Sequence, residues 1–529
     1  MQEHRQCVEV DGRLVHFRSW GNGPVILALH GSPQSSRAVA ALAQQIAAEG
    51  FRVIAPDTPG NGLSHPLAGA EQASTAAYAH GLHDFAQALK LERFGLYGFH
   101  TGAAVACTYA ALYPEQVSAL LCDGLPGWTQ ADRQALEGYL PTFEPKWDGS
   151  HMAWLWARIE EQTVFFPWHR PLSDFRMNYD VAPTQSCHGN VMDMLLAGNH
   201  YMAPYRAALV FAAESWLPRV DCPKICAAHC DDPLHLQIPS LPCPESDKAV
   251  YESAPALLAM GVSLFRQNPG SEAFHPPATQ HCQQGFSDTD LGRLAWRQKQ
   301  ADQGEPLLLL HDAGDSSAVF ENLMETLPRR VLAIDLPGHG HSDTADTGFD
   351  IAAIARAVDS TCRELGLDDY RVAGEGTGAQ VAASLLEQGL TAKVLAINPE
   401  TGPELGCSPT GEPINLEPEW DGSHLLRAWR IARWEQLFSP WNRRQRQYAT
   451  RVPGGLDNAV VQARALSLLQ AGEQWHAALK ATAQCPPLTA DQQTAGLSLA
   501  LSGQSESADK DTLRLPADRR DWTPVLSKV

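Results

Sequence analysis

The chain has 529 residues, 44% of them hydrophobic, and a formal net charge of -20. That length suits several domains with a large core, and the acidity excludes nucleic acid and anionic membrane as main partners. The 12 cysteines are scattered through the chain, so no disulfide framework is expected. No apolar signal region follows the first residues and no run is long enough to span a bilayer, which makes a cytoplasmic location the expectation.

In chain order, the apolar run Val25–Leu29, bounded by Pro24 and Gly31, predicts a strand buried on both faces. Residues 36–49 are alanine-rich with helical spacing and stop at Gly50. A strand is predicted over Arg52–Ala55, a helix over 75–91 and a strand over Phe94–Tyr97. A helix follows over Thr101–Tyr113, stopped at Pro114, and then a strand over Val117–Cys122. Strands alternating with helices imply a parallel sheet covered on both faces, with ligands at the carboxyl ends of the strands. His30, Asp57, His100 and Asp123 stand at those ends. Further on, Cys222, Cys226 and Cys230 share one face if they lie on a strand. With His229 nearby they read as buried cysteines rather than a metal site, and no metal is expected.

The second half repeats the first. Glu144-Pro-Lys-Trp-Asp-Gly-Ser-His151 returns as Glu417-Pro-Glu-Trp-Asp-Gly-Ser-His424, and Trp156 and Trp168 return as Trp429 and Trp441. His30-Gly31 pairs with His311-Asp312, and Asp57-Thr-Pro-Gly-Asn-Gly-Leu-Ser64 with Asp335-Leu-Pro-Gly-His-Gly-His-Ser342. Several matches in one order indicate a tandem duplication, too long in period for a solenoid. The expected division is a first domain over 1–270, a linker over 271–284 and a second domain over 285–529. The second copy is shortened at its C-terminus by a polar tail, so its last strands are expected to be reduced or missing.

Gly98-Phe-His100-Thr-Gly102 and Gly374-Glu-Gly376-Thr-Gly378 each lie between a strand and a helix. This G-x-Nuc-x-G frame, the His-Gly after a strand and the Pro59-Gly-x-Gly-x-Ser64 loop together resemble the α/β-hydrolase superfamily. The Trp-rich insertions, about 124–218 and 399–480, resemble the helical cap of the dehalogenase, epoxide hydrolase and carbon–carbon hydrolase branch. The resemblance implies two tandem α/β domains, each a mostly parallel sheet flanked by helices and topped by a cap.

It also implies roles for individual residues. The elbow residue is the nucleophile of the family; here it is His100 once and Gly376 once, never serine. His100 leaves three readings: general base, nucleophile, or a relic filling a pocket. The oxyanion hole would use the amides of Thr101 and of Ser32 or Gly31. The acid would be Asp232 or, after the strand behind the elbow, Asp123; each has a rival reading as a solvated loop residue or helix cap. The family's catalytic histidine, expected in a Gly-His loop after the last strand, is not found after the stretch Leu234–Cys243 taken as that strand. His30, Phe99, His151, Trp147 and Trp154 are candidate substrate contacts, although the recurrence of His151's motif beside Gly376 favours a structural role, as does packing for the tryptophans. In the second copy Asp312 replaces Gly31, and Asn398 is taken to stand where Asp123 stood.

These readings point to an atypical hydrolase or lyase acting on a small ester, lactone or ketone, with its one active site in the first copy. The alternative is a non-catalytic binding or scaffold protein made of two degenerate copies. Gly374-x-Gly-x-Gly378 has the wrong spacing for a dinucleotide fingerprint, so no cofactor is expected. The second copy is expected to be a pseudo-hydrolase packed against the first, and a homo-oligomer is compatible with the sequence.

Overall fold

The computed structural model describes residues 2–69, 74–136, 139–276, 282–346, 348–399, 402–452, 455–488, 497–502, 513–516 and 518–527. The polar run 503–512 and residues 277–281 of the expected linker lie outside the described residues. Contacts divide the chain into two compact units, Met1–Glu144 with Trp154–Thr279, and Pro145–Ala153 with Gln280–Val529. Residues 145–153 therefore group with the second unit, although by sequence they belong to the first repeat.

The first unit holds an eight-stranded sheet of β1 (His4–Val10), β2 (Arg13–Trp20), β3 (Val25–Leu29), β4 (Arg52–Pro56), β5 (Phe94–Phe99), β6 (Val117–Asp123), β7 (Lys224–His229) and β8 (Lys248–Tyr251). The spatial order is β1-β2-β4-β3-β5-β6-β7-β8. β2 runs antiparallel to β1 and β4, and the remaining pairs are parallel. The hairpin β1–β2 closes through Asp11 and Gly12, both at positive φ, which matches the twist of the flanking strands. Alternate side chains of the central strands feed two cores, one on each face. Leu27, Leu29, Ile54, Leu96 and Leu120 pack on one side, and Ile26, Ala28, Val53, Tyr97 and Leu121 on the other. This two-sided burial is why β3 reads as an unbroken apolar run and β6 is buried along its whole length.

The elbow helix Thr101–Leu112 is small-residue-rich because it presses on the sheet. A Cβ on Gly102 would lie 2.4 Å from the Leu29 carbonyl oxygen, so the glycine sets the approach of helix to strand. The stretch expected as the last strand is instead a 3-10 helix over Pro233–Ser240, which Pro233 and Pro239 favour by denying ladder donors; the last strand is β8. Of the clustered cysteines only Cys226 lies on β7, in register with Cys122 of β6, while Cys230 follows the strand and is exposed.

The second unit repeats the plan with β9 (Gln284–Thr289), β10 (Gly292–Lys299), β11 (Leu307–Leu310), β12 (Val331–Ile334), β13 (Arg371–Glu375), β14 (Val394–Ile397), β15 (Leu497–Ser502) and β16 (Leu513–Leu515). Its order, β9-β10-β12-β11-β13-β14-β15-β16, is that of the first sheet. The expected shortening removes no strand; it leaves β16 with three residues, and the polar run falls between β15 and β16 instead of ending the chain. Helices Ser423–Glu435, Asn458–Ala471 and Gln474–Gln484 occupy the cap stretch between β14 and β15.

Candidate active site

His100 sits at the turn between β5 and the elbow helix with φ 48° and ψ -106°. A side chain in this region carries a strain of about 1–3 kcal/mol, offset here by the structure on either side. The backbone is held by His100 N donating to the Asp123 carbonyl oxygen at 2.9 Å. The imidazole stacks on Phe99, centroids 3.9 Å apart, and its Nε2 lies 2.7 Å from Asp232 Oδ2. Asp232 follows β7, is buried, and its Oδ1 accepts from the Leu234 amide at 2.8 Å, capping the 3-10 helix. The expected acid and elbow residue thus meet directly.

The electrostatics follow from this pairing. Burial alone would raise Asp232, but the charge and hydrogen bond of His100 and the Leu234 amide outweigh it and hold the carboxyl below its usual range. Burial alone would lower His100, but Asp232, with a smaller push from Asp123, leaves its pKa above the ordinary imidazole value. An ionised carboxylate only accepts, so the proton on Nε2 is fixed by Asp232 and the Nδ1 lone pair of neutral His100 is left for a reactant. Asp123, the last residue of β6, accepts from Tyr97 Oη at 2.8 Å through Oδ2, while its Oδ1 is buried without a partner. Burial pushes its pKa up to about 6 against the pull of Tyr97 and His100.

Two participants escaped the sequence reading. Tyr97 is a hydroxyl-bearing aromatic in an otherwise apolar strand, the sort of residue that needs a polar partner when buried. Gly124 makes room for the imidazole: a Cβ there would lie 2.4 Å from His100 Cδ2, and its φ of +67° also disfavours a side chain.

Several candidate contacts lie elsewhere. His30 is fully buried with both ring nitrogens committed, Nδ1 donating to the Gly31 carbonyl at 3.0 Å and Nε2 accepting from the Thr58 amide at 3.0 Å. It staples two loops and has no nitrogen for substrate, the same role that His311 plays toward Asp312 and Leu336. His151 belongs to the stretch grouped with the second unit, accepts from Lys146 N at 3.1 Å and meets Gln462 Oε1 at 2.8 Å. Its counterpart His424 accepts from Glu419 N in the same way, so the recurring motif is a structural turn. Trp147 is 65% exposed and lies under Arg433, not in a pocket. Trp154 packs with Phe143 and Trp168 inside the cap. A cavity of about 20 Å³ lined by Asp57, Thr58, Tyr78 and Phe85 has room for about one water and does not serve His100.

The second elbow keeps the backbone and replaces the contents. Gly376 has φ 53° and ψ -115°, and its amide donates to the Ile397 carbonyl at 2.9 Å. The register therefore puts Ile397, not Asn398, at the position of Asp123, one residue from the sequence expectation; Asn398, at φ 44°, corresponds to Gly124. Asp312 Oδ1 accepts from Thr377 N at 2.8 Å and from Ala313 N at 2.7 Å. These are the positions of Thr101 and Ser32, so the pair of amides expected to form an oxyanion hole is filled by the chain's own carboxylate. A Cβ on Gly376 would stand 1.9 Å from that oxygen. Beside it Arg519 binds Glu375 and Asp315, and Arg464 binds Asp315 and Glu435. In the first copy Gly31 takes the place of Asp312 and has no side chain to fill the hole.

Among the described residues no group of His, Cys, Asp and Glu is arranged to hold a metal ion, and no helix is long and apolar enough to cross a membrane.

Residues 24–148 match the α/β hydrolase fold family and residues 307–522 the α/β hydrolase family. An uncharacterized protein of Mycobacterium tuberculosis is 36% identical over 115 residues, 22% of this chain and 33% of that one. A 2-(acetamidomethylene)succinate hydrolase of Mesorhizobium japonicum is 32% identical over 113 residues, 21% of this chain and 41% of that one. The chain thus spans well under half the length of these relatives. Epoxide hydrolase A from Mycobacterium thermoresistibile, a solved structure, aligns with 51% of this chain and all of its own at 16% identity and a TM-score of 0.40. The chain belongs to the α/β-hydrolase superfamily and carries two copies of its fold.

Proposed function

We propose that the first copy is a hydrolase-type active site in which His100 is the general base, acting on a small ester, lactone or ketone. The observation that carries this is the 2.7 Å contact between His100 Nε2 and Asp232 Oδ2. A serine elbow needs a separate histidine between nucleophile and acid. The longer imidazole reaches the acid itself, which accounts for the absence of a histidine directly after β8, where Glu252 and Ser253 follow. Neutral His100 takes a proton at Nδ1, from a water attacking the carbonyl or from the carbon beside it, and Asp232 stabilises the imidazolium formed. The Thr101 and Ser32 amides receive the negative oxygen, by analogy with the two amides that hold Asp312 in the second copy. No acyl-enzyme is required, so proton abstraction and lyase chemistry fit this site as well as water activation does. The second copy, with its amides occupied and no side chain at the nucleophile position Gly376, is read as non-catalytic.

A turnover screen of esters, lactones and ketones with wild type and His100→Ala tests the reading. The expected result is a loss of about 10²–10⁴-fold in kcat on any substrate found. A substrate turned over equally by both proteins sinks the role of His100, and a ligand bound but never turned over favours a binding protein instead.

A further inference from the structure

The cap of the first copy holds a buried cation without a counter-ion. Arg158, on the helix Ser150–Val164, is 1% exposed. Its Nη1 reaches Gln162 Oε1 at 2.9 Å and Met194 Sδ at 3.4 Å, while Nε and Nη2 are buried with no hydrogen-bond partner. Among the described residues no carboxylate pairs with it. Its guanidinium lies 5.2 Å from the Trp168 ring and 5.7 Å from that of Tyr201, whose hydroxyl donates to the Pro141 carbonyl at 2.7 Å and also interacts with the guanidinium. Aromatic faces recover part of what the charge loses on leaving water, but they cannot satisfy two in-plane N–H groups.

The second copy solves the same position differently. With Trp156 matched to Trp429 and Trp168 to Trp441, Arg158 falls on Ile431, which is buried at 2% exposure, and Gln162 falls on Glu435, which is bound by Arg464. An apolar residue of similar bulk therefore fits this place in the fold, and an unpaired buried arginine is the costlier choice. The adjacent Nε and Nη2 donors form a planar fork that suits the two oxygens of a carboxylate.

We propose that Arg158 is the anchor of an anion site in the first cap, taking the carboxylate of a small organic acid with an apolar body. This rests on the cap alone and stands or falls independently of His100.

The test is calorimetric binding and thermal unfolding of the full chain with phenylacetate as probe and neutral phenylacetamide as control, for wild type, Arg158→Met and Arg158→Gln. Wild type is expected to bind phenylacetate at millimolar concentration or below and to prefer it to the amide. Arg158→Met is expected to unfold at a higher temperature without probe and to bind phenylacetate at least about tenfold more weakly, the loss of a bidentate charged contact. Arg158→Gln, which keeps a polar group, covers the case in which the methionine variant does not fold, and it too should bind more weakly. Wild-type affinity in either variant, or no preference of wild type for the carboxylate over the amide, overturns the proposal. So does a wild type that does not bind phenylacetate.

Discussion

The two elbows have nearly the same backbone and opposite contents. His100 and Gly376 share their φ and ψ region, and each donates its amide at 2.9 Å to the strand behind it. In the first copy the strained position carries an ionisable ring, and two carboxylates lie around it. In the second the strain is relieved by glycine, the carboxylate of β6 has become Ile397, and a new one, Asp312, has moved into the amide pair. The turn is thus a property of the fold, set by strand-to-helix geometry, and is kept where the elbow residue has no side chain. What separates the copies is whether the concave end of the sheet is left open or satisfied from within. Among the described residues around the second elbow, Asp312 has two amides, and Asp315, Glu375 and Glu435 have Arg464 and Arg519. In the first, Asp123 Oδ1 is buried without a partner. Retaining unsatisfied buried groups costs stability, and such groups cluster where a ligand completes them.

The contrast can be broken most directly at Asp232. Asp232→Asn keeps an oxygen to cap Leu234, since asparagine caps as well as aspartate, but it can no longer fix the proton on His100 Nε2 or stabilise the imidazolium. The expected loss in kcat is about 10²–10⁴-fold, or about 3–5 kcal/mol, with little change in unfolding temperature. Turnover at the wild-type level would mean that the His100–Asp232 pair is structural in the first copy too.

A smaller effect is expected from Gly376→Ala. The new methyl group meets Asp312 Oδ1 at 1.9 Å and adds a side chain at φ +53°, which together should cost about 2–3 kcal/mol in urea unfolding. Adding Asp312→Gly should recover part of the loss, because the two residues are in contact and their effects couple. Strictly additive losses in the double variant would show that Asp312 is not what excludes a side chain from the second elbow.

The sheet and the elbow were legible in the sequence because they rest on local signals: an unbroken apolar run for β3 and a mostly apolar one for β6, glycines framing the turn, and a repeat whose two copies fix each other's register. Asp232 was legible by its place after a strand. What was not legible depends on contacts distant in sequence. The Leu234–Cys243 stretch looks apolar enough for a strand, yet its prolines turn it into a 3-10 helix. Asn398 was placed one residue away from its true counterpart because a short apolar strand gives no mark of register; only the pairing of Glu375 with Ile397 does. His30 and His151 resemble ligand-facing histidines until both nitrogens of each are found committed within the protein. Arg158 gave no signal, because a lone arginine on an amphipathic helix reads as a solvated charge.

The finest test of the first elbow is Asp123→Asn. Asp123 is ionised only above about pH 6, its burial-raised pKa, and from there its charge adds to that of Asp232 in holding His100 protonated. His100 acts as base only when neutral, so its raised pKa delays the acid limb of the turnover profile toward higher pH. Asparagine still accepts from Tyr97 and removes the charge. The His100 pKa should then fall, moving the acid limb to lower pH by less than about one unit, the size expected of a second, more distant carboxylate. Below about pH 6 wild type and variant should converge, because Asp123 is then neutral in both. A limb that moves upward, or a difference that persists at pH 5, would show that Asp123 acts on the site through its hydrogen bonds and not through its charge. The second copy offers the matching contrast: Ile397 stands at the equivalent place, and the elbow residue beside it, Gly376, has no side chain to titrate.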